Sequence, residues 1–186
     1  MLKIGDKAPD FIVNDQDGNP VKLSDFRGSK VVLYFYPRDM TPGCTAEACN
    51  LRDNYSRMKR KGYEILGVST DSEKSHKKFI AKENLPFRLL ADTGKIVHDA
   101  YGTWVEKSMY GRKYMGTARV TFVIDEKGVI EDIIDKVDTS DHVSQILESK
   151  VANTAKVAVK KPAKKCYCTL VAIKKIFIFA TNQLAQ

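Results

Sequence analysis

Three histidines, four cysteines and one tryptophan are all that the 186 residues hold of those three types. The cysteines fall in two pairs, Cys44/Cys49 and Cys166/Cys168, and neither has the Cys-x2-Cys spacing of a zinc ribbon or a dithiol reductase. His76, His98 and His142 stand far apart on segments that read as helical, so neither a metal cluster nor a catalytic histidine is expected. No glycine-rich phosphate loop occurs, and no cofactor is expected. The opening MLKIGDKAPDF is polar and lacks the apolar run of a secretory signal, which points to the cytoplasm. Structural disulfides are rare there, and paired cysteines are more often catalytic or metal-binding.

Acidic side chains are absent from residues 151–186, a stretch that carries Lys156, Lys160, Lys161, Lys164, Lys165, Lys174 and Lys175. The formal charge of +8 resembles a nucleic-acid signal until those seven lysines are set aside, which leaves +1 for residues 1–150. The body of the protein is near neutral, and no nucleic-acid partner is expected for it. Long apolar runs are missing too. Lys174 and Lys175 split the apolar bursts LVAI and IFIFA, and the sixteen residues from Cys166 to Thr181 fall short of a bilayer-spanning helix. We therefore divide the chain into one domain, 1–150, and a lysine-rich, partly apolar extension, 151–186, expected to be poorly ordered. Three readings of the extension stay open. It is sequence without a fixed structure or role; or it touches anionic membrane or nucleic acid through its lysines; or it packs on the domain or another chain, or binds metal through Cys166 and Cys168.

What is present is a regular alternation of strand and helix patterns. VVLYFY (31–36) is a continuous apolar run between Gly28 and Pro37, the mark of a strand buried on both faces. YEILGVST (63–70) and FRLLAD (87–92) repeat it. Helical patterns run from Pro42 to about Arg60, closed by Gly62, and from Ser72 to Asn84. Residues 94–101 read as a short helix, and the Gly- and Tyr-rich stretch to about Gly116 as a loop. VTFVID (120–125) and VIEDIID (129–135) form a hairpin around Glu126–Gly128, and Asp141 to Lys150 a last helix with Ser140 as its cap. Residues 11–25 add a hairpin around Asp15–Pro20. This order predicts an α/β domain: a thioredoxin-like mixed sheet flanked by helices, with an extra N-terminal β-hairpin.

The chemistry concentrates in YFYPRDMTPGCTAEACN, residues 34–50. Thr41 stands at an N-cap position and Pro42 at the first helical position, where its missing N–H costs nothing. Cys44 is then the third helical residue, near unpaired backbone N–H groups and the positive end of the helix dipole. Both favour a thiolate, the nucleophilic form. Glu47 is expected to support that positive end rather than act as a base. Cys49 follows five residues after Cys44. In an intact α-helix their Cα atoms are roughly 8–9 Å apart, whereas a disulfide wants them closer than ~7 Å. The pair bonds only if the first turns unwind, which suits a transient catalytic disulfide better than a structural one.

Pro37, Thr41 and Cys44 compose the pattern P-x-x-x-T-x-x-C, which resembles the active-site signature of peroxiredoxins. The longer stretch FYPRDMTPGCTAEACNLRD resembles their bacterioferritin-comigratory, or Q-type, subgroup. KIGDKAPDF near the start, GVSTDS after the second central strand and YGTWVEKSMYGRKYMGTARVTFVIDEKG towards the end agree in order, so the resemblance spans roughly residues 2–150. It implies a cytoplasmic, monomeric thiol peroxidase without a cofactor. Cys44 would be the peroxidatic cysteine, attacking hydrogen peroxide or an alkyl hydroperoxide to give a sulfenic acid. Cys49 would be the resolving cysteine, closing a disulfide that thioredoxin or a similar dithiol reduces. Thr41 would serve the leaving oxygen, Arg119, in the family's Arg-x-Thr-Phe position (RVTF here), would hold the thiolate, and Pro37 would shield the site from water. Each has a plainer reading: Thr41 as a helix cap, Pro37 as a strand terminator, Arg119 as a surface residue entering a strand. Two rival functions are a general dithiol oxidoreductase on the same fold, against which the missing Cys-x2-Cys counts, and a protein that binds through its basic tail.

Overall fold

The computed structural model describes residues 2–109 and 111–148. The readings offered for residues 151–186, including Cys166 and Cys168, lie outside the described residues. The chain opens with an antiparallel hairpin, β1 (Ile12–Asn14) and β2 (Pro20–Lys22). It then enters β3 (Lys30–Phe35), the central strand of the main sheet. α1 (Pro42–Asp53) and α2 (Tyr55–Arg60) lead to β4 (Tyr63–Ser69), and α3 (Glu73–Glu83) to β5 (Arg88–Ala91). α4 (Ile96–Tyr101) precedes a hairpin of β6 (Trp104–Met109) and β7 (Arg112–Thr117). β8 (Val120–Ile124) and β9 (Ile130–Ile134) complete the sheet, and residues 142–148 form α5.

Five strands lie in the order β5-β4-β3-β8-β9. β3, β4 and β5 are parallel, while β8 runs antiparallel to β3 and β9 to β8. This is the mixed sheet of a thioredoxin-like fold, with the additional N-terminal hairpin. The apolar run 31–36 is buried on both faces because alternate side chains feed two separate layers. Val32, Tyr34 and Tyr36 join Cys44, Ala48 and Leu51 of α1, Met58, Phe79, Val143 and Ile146. Val31, Leu33 and Phe35 join Ala8, Phe11, Val21, Leu23, Val97 and Tyr101 on the other side. The cysteine helix therefore rests on the same sheet face as α3 and α5. Gly67 is needed where β4 passes Tyr34: a Cβ there would stand 2.6 Å from Leu89 Cδ2 and 2.7 Å from the Tyr34 hydroxyl.

Three expectations need correction. The helix predicted from Pro42 to Arg60 is broken at Asn54 (φ −102, ψ 5), whose side-chain amide donates to the Asn50 carbonyl at 3.0 Å and competes with helix continuation. The stretch before Gly116, read as a loop, holds the β6–β7 ribbon. Glu106, Ser108 and Arg112–Met115 are exposed, so the ribbon has no apolar alternation to betray it. The predicted cap Ser140 turns its hydroxyl to Asp138 Oδ1 at 2.6 Å, and the first turn of α5 is capped from α1, where Asn50 Oδ1 accepts the Val143 N–H at 2.9 Å. Among the described residues no helix is long and apolar enough to cross a membrane.

Candidate active site

β3 delivers the chain into a loop, residues 36–41, that is fastened from below. Tyr36 donates its hydroxyl to Asp39 Oδ1 at 2.7 Å, the Asp39 N–H donates to Asp71 Oδ2 at 2.8 Å, and His76 Nδ1 lies 2.9 Å from Asp39 Oδ2. Asp39 and His76 are buried, and the neighbouring Met40 is held at φ 57, a left-handed conformation that costs an ordinary residue roughly 1–2 kcal/mol. Pro37 is half-buried where the chain leaves β3. Thr41 does occupy the N-cap position, and its carbonyl accepts the Thr45 N–H at 2.8 Å. Its hydroxyl makes no capping bond, donating instead to the Arg38 carbonyl at 3.1 Å. The hydroxyl is thus not committed to the helix.

Cys44 is in the first turn of α1, buried at 2% exposure. Arg119, one residue ahead of β8, reaches back across the sheet, and its Nη2 lies 3.2 Å from Cys44 Sγ. The same nitrogen is 3.5 Å from where a Gly43 Cβ would be, so the guanidinium covers the helix mouth. Its Nη1 pairs with Glu47 Oε2. Glu47 therefore does not support the helix end as expected. It is fully enclosed and pairs with the Arg119 guanidinium. Burial raises the Glu47 pKa to about 7, with Arg119 pulling the other way.

Behind Glu47 lies His142, also fully enclosed, its Nε2 3.8 Å from Glu47 Oε1 and 2.9 Å from Thr121 Oγ1. Burial lowers its pKa to about 4. Among the described residues, Glu47 Oε1 and the Tyr34 hydroxyl are buried without a hydrogen-bond partner, which is uncommon for buried polar atoms. A second cation stands near. Lys107 on β6 donates to the Thr117 carbonyl at 2.5 Å, and burial followed by the charge of Arg119 lowers its pKa against the opposing pull of Cys44. Sequence reasoning missed Glu47, His142 and Lys107 in these positions.

Cys49 and Cys44 are both free thiols on a continuous α1. Cys49 is half-buried and points to α3, its thiol donating to Glu83 Oε2 at 3.7 Å. The remaining histidines are structural: His76 is bound to Asp39 and the Leu90 carbonyl, and His98 to Asp92 and Thr117. Trp104 packs edge-on against His98, with ring centroids 6.0 Å apart. Among the described residues no group of three or more His, Cys, Asp or Glu side chains could hold a metal ion. What the arrangement offers is a buried sulfur at a helix N-terminus with a guanidinium directed at it, which favours nucleophilic displacement by thiolate.

Residues 4–133 match the AhpC/TSA family. Peroxiredoxin Bcp of Escherichia coli K12 is 47% identical over 146 residues, covering 78% of this chain and 94% of that protein. A cysteine mutant of Xylella fastidiosa peroxiredoxin Q has a similar structure, with a TM-score of 0.77 at 30% identity over 83% of this chain and 98% of that one. So does the bacterioferritin comigratory protein of Xanthomonas campestris, studied for its alkyl peroxide reduction activity, at a TM-score of 0.71 and 33% identity over 78% and 91%. The chain belongs to the AhpC/TSA family, among its peroxiredoxins of the bacterioferritin-comigratory or Q type.

Proposed function

We propose that this protein is a thiol peroxidase of antioxidant defence, reducing hydrogen peroxide and organic hydroperoxides to water and alcohols. The observation that carries the reading is the 3.2 Å approach of Arg119 Nη2 to the buried Cys44 Sγ at the mouth of α1. The Cys44 thiolate attacks the terminal peroxide oxygen. A sulfur–oxygen bond forms, the O–O bond breaks, and Cys44 is oxidised to a sulfenic acid. The leaving oxygen departs with the bond's electron pair and takes up a proton. Arg119 holds the thiolate and the charge that moves onto oxygen, the Thr41 hydroxyl turns from the Arg38 carbonyl to donate to the reacting oxygens, and Pro37 keeps bulk water away. The alkyl peroxide reduction studied in the Xanthomonas relative supports the substrate class.

Cys49 then resolves the sulfenic acid as a Cys44–Cys49 disulfide, and thioredoxin or a similar dithiol returns both thiols by exchange. The enzyme works as a monomer in the cytoplasm, a reducing compartment where free thiols persist. The test is peroxide consumption coupled to thioredoxin and its reductase. Cys44→Ser is expected to abolish turnover, and Cys49→Ser to allow one round of oxidation without a disulfide. Equal loss of the first oxidation in both variants would show that the two roles are wrongly assigned.

A further inference from the structure

The two cysteines share one helix and lie in opposite electrostatic surroundings. Cys44 sits at the positive end of α1 beside Arg119. Cys49 lies on another side of the helix, about 140° round its axis, and meets the C-terminal end of α3. Its thiol donates to Glu83 Oε2 at 3.7 Å. Glu83 is the last residue of α3, where the partial negative charge of the helix end adds to that of the carboxylate. The Glu83 carbonyl is in turn held by Arg52 Nη1 at 2.7 Å, so α1 grips the end of α3 at two points.

We propose that Glu83 is a positioning residue for the second chemical step: its carboxylate keeps the Cys49 thiol docked on α3, and disulfide formation waits for that contact to break. The inference rests on the resolving role proposed for Cys49. In the step that waits, the Cys49 sulfur bonds to the Cys44 sulfur and the S–O bond of the sulfenic acid breaks. The thiol proton and the hydroxyl leave together as water. The Cys44 sulfur is reduced and the Cys49 sulfur oxidised to the common level of the disulfide, so no outside oxidant is needed.

The surroundings of Cys49 support this division of labour. Burial raises its pKa, Arg52 opposes, and Glu83 and then Asp53 push it further up. The charged groups facing the thiol are therefore Arg52 and Asp53 on its own helix and Glu83 on α3, with Lys82 Nζ 3.8 Å from the Glu83 Oε1 oxygen. A thiol held in that field is a poor nucleophile toward peroxide. Oxidation thus begins at Cys44, and Cys49 joins once the helix lets go of α3.

The test uses the full chain, hydrogen peroxide as probe, and Glu83→Gln, which keeps the side chain's size and spares the carbonyl that binds Arg52. In a Cys44→Ser background, alkylation of Cys49 by iodoacetamide is followed against pH by peptide mass spectrometry, which separates Cys49 from Cys166 and Cys168. Glu83→Gln is expected to shift the midpoint to lower pH and to raise the neutral-pH rate roughly fivefold, the equivalent of one net hydrogen bond. With Cys44 present, conversion of sulfenic acid to disulfide after one equivalent of peroxide, followed by rapid quench, is expected to speed up by a similar factor. Glu83→Asp, which keeps the charge but withdraws it, should fall between. A merely structural Glu83 would alter thermal stability and leave the alkylation midpoint where it was. An unchanged midpoint beside a normally formed disulfide overturns this inference alone. Absence of the 44–49 disulfide from the wild type overturns the resolving role and the inference with it.

Discussion

Glu47 Oε1 and His142 Nε2 face each other 3.8 Å apart in the interior, an acid and a base that meet without forming an ion pair. Both side chains are fully enclosed. Burial holds the carboxyl up at about 7 and the imidazole down at about 4, so between those values both are neutral. The positive charge of Arg119, which touches Glu47 and Cys44 alike, is then directed at the sulfur.

Opposed pH slopes in stability follow. Glu47 has a folded pKa of about 7 against an ordinary 4.5, so its stabilising contribution is full below 4.5 and is lost as pH rises to about 7. His142 has a folded pKa of about 4 against 6.5, so its contribution is present above 6.5 and is lost as pH falls to about 4. Each full effect is about 3 kcal/mol, and in the wild type they largely cancel. In urea unfolding from pH 4.5 to 6.5, Glu47→Gln is expected to become more stable with rising pH, and His142→Asn less. Parallel profiles for all three proteins would contradict this assignment.

Arg119 carries both a geometric and an electrostatic duty. Arg119→Lys keeps a charge but cannot span Cys44 and Glu47 with one planar fork, and the peroxide step is expected to slow about a hundredfold. Arg119→Met should slow it further and destabilise the fold by about 3 kcal/mol above pH 7, where the wild type keeps a buried ion pair with Glu47 that the variant lacks. Stopped-flow oxidation and urea unfolding at pH 5.5 and 8 measure the two effects. A Lys variant with wild-type kinetics would remove Arg119 from the chemistry.

Oxidation should loosen α1 and leave α2 alone. The proposed Cys44–Cys49 disulfide would require residues 42–50 to unwind, and the existing break at Asn54 gives that unwinding a natural stopping point. Amide exchange in the peroxide-treated protein is expected to lose protection over 42–50 and to keep it over 55–60. Identical exchange before and after oxidation would rule out the helix transition.

Asn50 joins α1 to α5 by two bonds, accepting the Val143 N–H and donating to the Ser140 carbonyl, each at 2.9 Å. Asn50→Ala removes a helix cap and an inter-segment bond and should cost about 2 kcal/mol in urea unfolding. Faster amide exchange at Val143 would locate the loss. A change below a few tenths of a kcal/mol would show that solvent replaces the cap.

Most of the main sheet could be read from the chain because β3, β4, β5 and β8 are largely apolar stretches and β9 follows β8 across the turn at Gly128, and the cysteine helix because Thr41 and Pro42 announce it. The β6–β7 ribbon could not, since its stability comes from cross-strand pairing of largely polar residues such as Lys107 with Tyr114. The cap supplied to α5 by Asn50 was hidden for a related reason: it is 93 residues away from Val143 in the chain. Arg119 entered only through family resemblance, because nothing local distinguishes an arginine at a strand entrance from any surface arginine. Glu47 was legible as a residue of the first turns but not as an enclosed one, because its burial is created by Arg119 and His142 arriving from distant segments.

The loop before α1 takes its bonds at Asp39 from Tyr36, Asp71 and His76, and none of these partners lies on α1. The loop is therefore anchored to the body of the domain at Asp39 as well as to α1, which it enters through the bond from the Thr45 N–H to the Thr41 carbonyl. An uncoiling of α1 on oxidation would leave the Asp39 anchors intact, so the loop through Pro37 would keep its place as the mould on which the helix rewinds.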